Sequence, residues 1–424
     1  MSRLLELLEP VQAQFDHYRQ RGGFLLLHPR SKYRSVLVAN LLRDQPYPVF
    51  YYALGTDDVH LSALLRGITQ ILSAQHPLFG RHTQLHALGA SNNLRELATA
   101  FSNDLNELCA EPYVLILDEF DRCDAADDIQ IFLEYLVDVL PSQCTVVFNS
   151  RTIPRISWIS ILAKNRAVML DDEALVRENF YDSTPRNEPV LSVSAFGPGF
   201  VLLDDDPIES WEGHLPRLLF FFSLDRPVIT RSEICSAFWP DLAVDQAVNV
   251  FHVTKRRLHK ALNMDVLVHE DGYYRMNGDI RMDYDIANFV SRLIDAREST
   301  GAEQFEHYSA AADLYQSPYL HGYSDHWIKM RRGDFSKGYL EALKNLAEYR
   351  IGESRLEVAL NLLLRALHET EDDESLHRQV MRLYTQLGRR SEAVTHFKTL
   401  EASLHKRNQL PARETIDLYT EIMA

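Results

Sequence analysis

The segment Asn249–Leu262, NVFHVTKRRLHKAL, brings Lys255, Arg256, Arg257 and Lys260 together without one carboxylate. Ammonium and guanidinium groups neutralise phosphates, and the amide of Asn249 and the imidazole of His252 can hydrogen-bond base edges. The chemistry of this segment is therefore contact with a polyanion. A second set lies in YVLILDEFDRCD, residues 113–124, where an apolar run delivers Asp118 and Glu119. At the C-terminal end of a buried strand, one carboxylate can place Mg²⁺ and the next can orient water, the two tasks of a phosphoryl-transfer site. The plainer reading is a solvated strand end.

A phosphate loop should precede such a strand, and after FLLL the chain reads His28-Pro29-Arg30-Ser31-Lys32-Tyr33-Arg34-Ser35. His28 and Tyr33 replace the motif glycines, Arg34 takes the lysine position, and Ser35 keeps a hydroxyl. A tyrosine crowds the backbone cradle that glycine leaves open, and Pro29 has no amide to donate. This argues against efficient ATP hydrolysis. Arg30, Lys32 and Arg34, with Ser35, Asp118 and Arg151, still offer a site for ATP or ADP with Mg²⁺, but no cofactor is required. The sequence favours a degenerate site kept for packing or partner contact, with Arg151 either beside the same crevice or merely on the surface.

The chain as a whole is not a generic nucleic-acid binder, because 60 acidic residues face 44 lysines and arginines, a formal charge of -16. Any DNA contact must be focused. A length of 424 residues allows two to four domains, and 46% hydrophobic residues can fill their cores. Cys109, Cys123, Cys144 and Cys235 lack metal-site spacing and read as buried small residues. No metal site is expected. No apolar signal core or membrane-spanning run appears, which makes the cytoplasm the default location.

These residues need elements to position them. Phe24–Leu27, Val49–Tyr52, Val114–Leu117 and Thr145–Asn149 read as strands and Leu61–Ala74 as a helix, giving a mainly parallel α/β sheet over 1–182. The proline-containing DSTPRNEPV reads as a linker, set at 183–190. Over 191–282, two short strands precede helices at His214–Ser223, Arg231–Phe238 and Asp245–Leu262, with Thr230 or Ser232 as the second helix's cap. In the third helix Val250, Val253, Leu258, Ala261 and Leu262 are expected to be buried. Lys255, Arg256 and Lys260 are phosphate candidates; Arg257 either joins them or pairs within the domain. GYYRM then reads as a hairpin, in which Tyr273, Tyr274 and Arg275 meet the sugar-phosphate backbone or the tyrosines fill the core. From 283 to 424, leucine and alanine recur at helical spacing, and LYTQLGRRSEAVTHF has the paired-helix character of a repeat. His307, His321, His326 and His368 are too scattered for a metal site.

Three resemblances follow from these segments. FLLLHPRS, LILDEFD and FNSRTIP resemble the P-loop core of the signal-transduction ATPases that include the maltose-regulon activator, which implies sensing and self-association. RSEICSAFWPD, NVFHVTKRRLHKAL and GYYRM resemble the winged helix-turn-helix of OmpR/PhoB-type response regulators and Streptomyces antibiotic regulatory proteins. That resemblance gives Asn249, His252, Thr254, Arg256, Arg257 and Lys260 a DNA-reading role at repeated operator elements. LYQSPYLHGYSDHWIKMRR and ESLHRQVMRLYTQLGRRSEAV resemble the tetratricopeptide-like bacterial transcriptional activation domain, which implies dimerisation and contact with RNA polymerase. The expected function is a sequence-specific transcription regulator, an activator by resemblance. The alternatives are an ATP-dependent signalling enzyme and a DNA-independent scaffold.

Overall fold

The computed structural model describes residues 12–27, 29, 34–43, 45–55, 58–88, 93–170, 190–204, 206–208 and 210–423. Arg30, Lys32 and residues 183–189 of the expected linker lie outside them, whereas Val190 already belongs to a strand. Contacts divide the chain into two compact units, one of Met1–Val193 with Phe200–Asp283 and one of Ser194–Gly199 with Tyr284–Ala424.

In the first unit, β1 (Gly23–Leu27), β2 (Val49–Ala53), β3 (Tyr113–Asp118), β4 (Cys144–Asn149) and β5 (Ala167–Leu170) form a sheet in the order β2-β3-β4-β1-β5. Every pairing in it is parallel. Parallel strands require crossovers, supplied here by α1 (Arg34–Leu41), α2 (Leu61–Ser73), α3 (Arg81–Leu88), α4 (Leu94–Leu108), α5 (Asp127–Val139) and α6 (Trp158–Ala163). β1 and β4 are buried along their whole length, and β3 as far as Leu117. Burial on both faces explains why they read as unbroken apolar runs rather than alternating ones. The register sets Asp118 opposite Asn149 and Leu27 opposite Asn149, so these strand ends share one rim.

The same unit continues with β6 (Val190–Ser194), β7 (Phe200–Leu203), β8 (Asp206–Pro207), α7 (His214–Ser223), α8 (Arg231–Phe238) and α9 (Val244–Leu262). An antiparallel hairpin, β9 (Leu267–Glu270) and β10 (Tyr273–Met276), and β11 (Arg281–Tyr284) follow, with β11-β6-β7-β8 as the second sheet. Thr230 starts α8 with a capping box: its hydroxyl accepts from the Glu233 amide, and the Glu233 carboxylate accepts from the Thr230 amide. Asn263, in the left-handed region at φ 51°, ends α9.

The second unit is helical: α10 (Asp285–Glu298), α11 (Gly301–Leu314), α12 (His326–Gly352), α13 (Leu356–Glu369), α14 (Glu374–Gln386), α15 (Arg390–Lys406) and α16 (Arg413–Met423). Each packs against its neighbours in sequence. The strap at 194–199 is pinned by Asp285, whose carboxylate accepts from the Ala195 and Phe196 amides at 2.9 Å, and by Phe196 among Phe289, Tyr315 and Phe335. No helix among the described residues is long and apolar enough to cross a membrane.

Asp124 follows the short turn after β3, and its carboxylate accepts from the Thr152 hydroxyl. Burial pushes this carboxyl up to about 6; the Thr152 hydrogen bond and Arg155 oppose the rise and Asp121 adds to it. A raised acid pKa means that the stability tied to the neutral form is complete below about pH 4 and is lost as pH rises through about 6. Asp124→Asn should therefore match the native chain near pH 4 and exceed its stability at pH 8, by up to about 3 kcal/mol. Urea denaturation at the two pH values checks this, and equal differences at both would overturn the assignment.

Candidate functional site

The rim of the first sheet collects Arg34, Ser35, Asp118, Glu119, Asn149 and Arg151 around a cavity of about 170 Å³. Both oxygens of Asp118 accept hydrogen bonds. One oxygen accepts from Tyr51 Oη at 2.7 Å; the other accepts from Asn149 Nδ2 at 2.7 Å and the Glu119 amide at 2.8 Å. Burial first, then this carboxylate, pushes the Tyr51 hydroxyl up to about 12, so it remains a donor. Arg34 donates to the Ser150 carbonyl at 2.8 Å and to Asn149 Oδ1 at 3.3 Å. Glu119, at φ 53°, pairs with Arg122, and Arg151 pairs with Asp121 at 3.1 Å.

The described part of this rim is already hydrogen-bonded within the protein. A ligand at this rim would compete with the hydrogen bonds that hold Asp118 and one terminal nitrogen of Arg34. Arg30 and Lys32 lie outside the described residues. Tyr51, the group that occupies Asp118, was not legible as a partner, since only the sheet register brings it within reach.

The second candidate site is the outer face of α9. Asn249, His252, Arg256, Arg257 and Lys260 are exposed on it. Among the described residues neither Arg256 nor Arg257 has an ion-pair partner, so the expected alternative of an internal salt bridge for Arg257 is not realised. Lys260 pairs with Glu212, and Arg275 with Glu270. Exposed pairs of this kind are worth about 1 kcal/mol or less, so both cations exchange partners readily. Lys255 is half-buried with Nζ 5.3 Å from the Tyr274 ring; burial lowers its pKa, against Asp265.

Several expectations change at this helix. The buried stripe is Ala247, Phe251, Thr254, Leu258 and Leu262. Thr254 therefore cannot reach DNA: its hydroxyl donates to the Val250 carbonyl at 2.8 Å and turns inward. Val253, expected inside, is 45% exposed. It stands four residues after Asn249 and three and four before Arg256 and Arg257, a spacing that places it at the centre of the polar face. Tyr274 is a core residue, edge-on to Phe251 at 5.0 Å, and its backbone exchanges two 2.8 Å hydrogen bonds with Ile229 just before α8. Tyr273 is half-buried with Arg155 over its ring at 5.4 Å.

The second unit carries the decisive likeness: residues 284–423 match the family model described as bacterial transcriptional activator domain. The chain carries a bacterial transcriptional activator domain. Within the activator domain, a groove of about 940 Å³ runs past Gln316, Asn361 and Arg365 over the stacked rings of Tyr315 and Tyr339, 4.2 Å apart. Among the described residues no group of three His, Cys, Asp or Glu side chains is arranged to hold a metal.

The solved structures similar to the chain include two from different organisms. Mycobacterium tuberculosis EmbR in complex with a low affinity phosphopeptide has 19% identity and a TM-score of 0.46, the match covering 56% of this chain and 65% of that one. A signal transduction ATPase with numerous domains and a tetratricopeptide repeat sensor, from Pyrococcus horikoshii, has 15% identity and a TM-score of 0.26, covering 92% of this chain and 58% of that one. The chain thus spans less than two thirds of either neighbour, and neither likeness bears on function. No curated protein matches the chain.

From the engaged state of Asp118 and Arg34, the whole chain should release phosphate from Mg²⁺-ATP no faster than buffer, and Asp118→Ala should change nothing. A phosphate-release assay checks this; turnover that falls in the variant would show that the rim opens to nucleotide.

Proposed function

We propose that the chain is a sequence-specific, double-stranded-DNA-binding transcription regulator of the Streptomyces antibiotic regulatory type, acting as an activator in the cytoplasm. In this reading α7, α8 and α9 with the β9–β10 hairpin form a winged helix-turn-helix that lays α9 in the major groove. The α/β module at 1–182 senses or self-associates, so that paired winged helices meet repeated operator elements. The activator domain, with tetratricopeptide-like helices, faces RNA polymerase.

The observation that carries the reading is the exposed face of α9: Asn249, His252, Arg256, Arg257 and Lys260, without a carboxylate on the helix after Asp245, in a chain of net charge -16. The helix is thus a local cluster of cations in a chain whose net charge disfavours a duplex. Arg256, Arg257 and Lys260 supply backbone contacts, and Asn249 and His252 supply base contacts. Val253 adds an apolar contact of the kind a thymine methyl accepts. The scaffold reading leaves this face without a purpose. The signalling-enzyme reading meets a rim whose carboxylate is held by Tyr51 and Asn149 and whose arginine is held by Ser150 and Asn149.

Selection of fragmented genomic DNA by the purified chain should return discrete sequences. Arg256→Ala with Lys260→Ala should weaken binding to all of them and lower the slope of log K against log salt by about 2, one unit per lost phosphate contact. An unchanged slope, or no enriched sequence with either chain, overturns the reading. Val253→Ala should leave the salt slope alone and reduce discrimination at one A·T position by about 1 kcal/mol. Replacing that thymine with deoxyuridine should reproduce the loss in the native chain and not in the variant.

A further inference from the structure

The winged-helix elements have a second face, turned toward the α/β module of the same unit. At its centre is Arg155, 1% exposed, in the segment between β4 and α6. Its Nε donates to the Asp124 carbonyl at 2.7 Å, one terminal nitrogen donates to Asp127 Oδ1 at 2.8 Å, and the other pairs with Glu233. Arg226, ahead of α8, bridges Glu134 of α5 and Glu233 at 3.0 Å each. Ser157 Oγ donates to the Asp225 carbonyl at 3.1 Å. Arg155 and Arg226, with the carboxylates of Asp127, Glu134, Asp225 and Glu233 drawn from both modules, thus close a single network that is buried except at Asp127.

The elements that this network holds are those a winged helix uses against the phosphate backbone. The helix before the recognition helix crosses the backbone in such folds, and a helix N-terminus is a natural seat for a phosphate. Here the Thr230 hydroxyl at the start of α8 points its proton at the Asp127 carboxylate, 3.1 and 3.2 Å from its two oxygens. The same hydroxyl accepts from the Glu233 amide, so its capping role is undisturbed. Tyr273, which opens β10, lies under the Arg155 guanidinium.

We propose that the α/β module masks the backbone-contacting edge of the winged helix, with the Arg155 network as the latch and the Asp127 carboxylate seated where a DNA phosphate would sit. While the latch is closed, a duplex meets a carboxylate and the bulk of α5 at the start of α8. When it opens, the α9 face and the backbone edge act together. Buried ion networks suit this task, because they add little net stability when intact and become strongly unfavourable once one partner leaves. A small displacement of one charge therefore opens the whole junction. The proposal rests on the DNA-binding reading above.

The test uses the full chain and two readouts. Amide hydrogen exchange over residues 226–234 and 267–276 reports latch opening whether or not DNA binds. Affinity is measured for the duplex fragment most enriched by either the native or the variant chain. Arg155→Gln, and the shape-conserving Asp127→Asn in case the first fails to fold, should raise exchange in both segments and tighten binding about tenfold or more, the native closed fraction setting the factor. Glu111→Gln, an exposed charge change at the opposite end of β3, should alter affinity less than about twofold. Faster exchange with unchanged affinity overturns the mask, as does a Glu111→Gln effect equal to that of Asp127→Asn. Unchanged exchange in both variants overturns the latch. If exchange rises and no chain binds any duplex, the DNA-binding reading itself has failed, and the mask with it.

Discussion

Glu233 has three simultaneous obligations. Its side chain, 2% exposed, accepts from the Thr230 amide to complete the cap of α8, and it pairs with both Arg155 and Arg226. An ionised carboxylate at that depth is tolerated only because every one of these donors is present, since an isolated buried charge would cost several kcal/mol. The geometry of a helix terminus and the junction of two modules are therefore set by one side chain. Neither can shift without disturbing the other.

Much of the local structure was legible because it depends on local rules. The helices at His214–Ser223 and Arg231–Phe238 stand where prolines, the Thr230 cap and apolar spacing put them, and the buried strands announced themselves as continuous apolar runs. The face of α9 was only half legible. Val250 and Val253 looked like an interior pair, yet the helix is rotated so that Phe251 and Thr254 turn inward. A buried threonine is easy to overlook as core, because its polarity is cancelled by its own helix's carbonyl. Nothing in the local sequence distinguishes Tyr273 from Tyr274 either; the two hydrogen bonds with Ile229 do.

Long-range pairing set the limit at the two sites. Asp118 was visible as a strand-end carboxylate, but its engagement with Tyr51 and Asn149 depends on strands separated widely in sequence. Arg155 carried no motif at all. Its partners come from Asp127, 28 residues away, and Glu233, 78 residues away, so only the folded unit assembles them. The basic surface shows the same dependence: Lys260 and Arg275 are partly neutralised by glutamates outside α9, which leaves Arg256 and Arg257 as the exposed cations of α9 without an ion-pair partner among the described residues.

The position of β1 has a consequence for synthesis. GFLLL lies between β4 and β5, with Gly23 opposite Thr145 and Phe24 opposite Ala167. It leaves the ribosome first among the sheet strands, yet both of its partners emerge last. β2 and β3 can pair meanwhile, but β1 must wait in the open until β4 has been made to Asn149 for one edge and β5 to Leu170 for the other. Contacts so distant in sequence form slowly. The nascent α/β module therefore carries a wholly apolar-flanked strand unprotected for most of its translation.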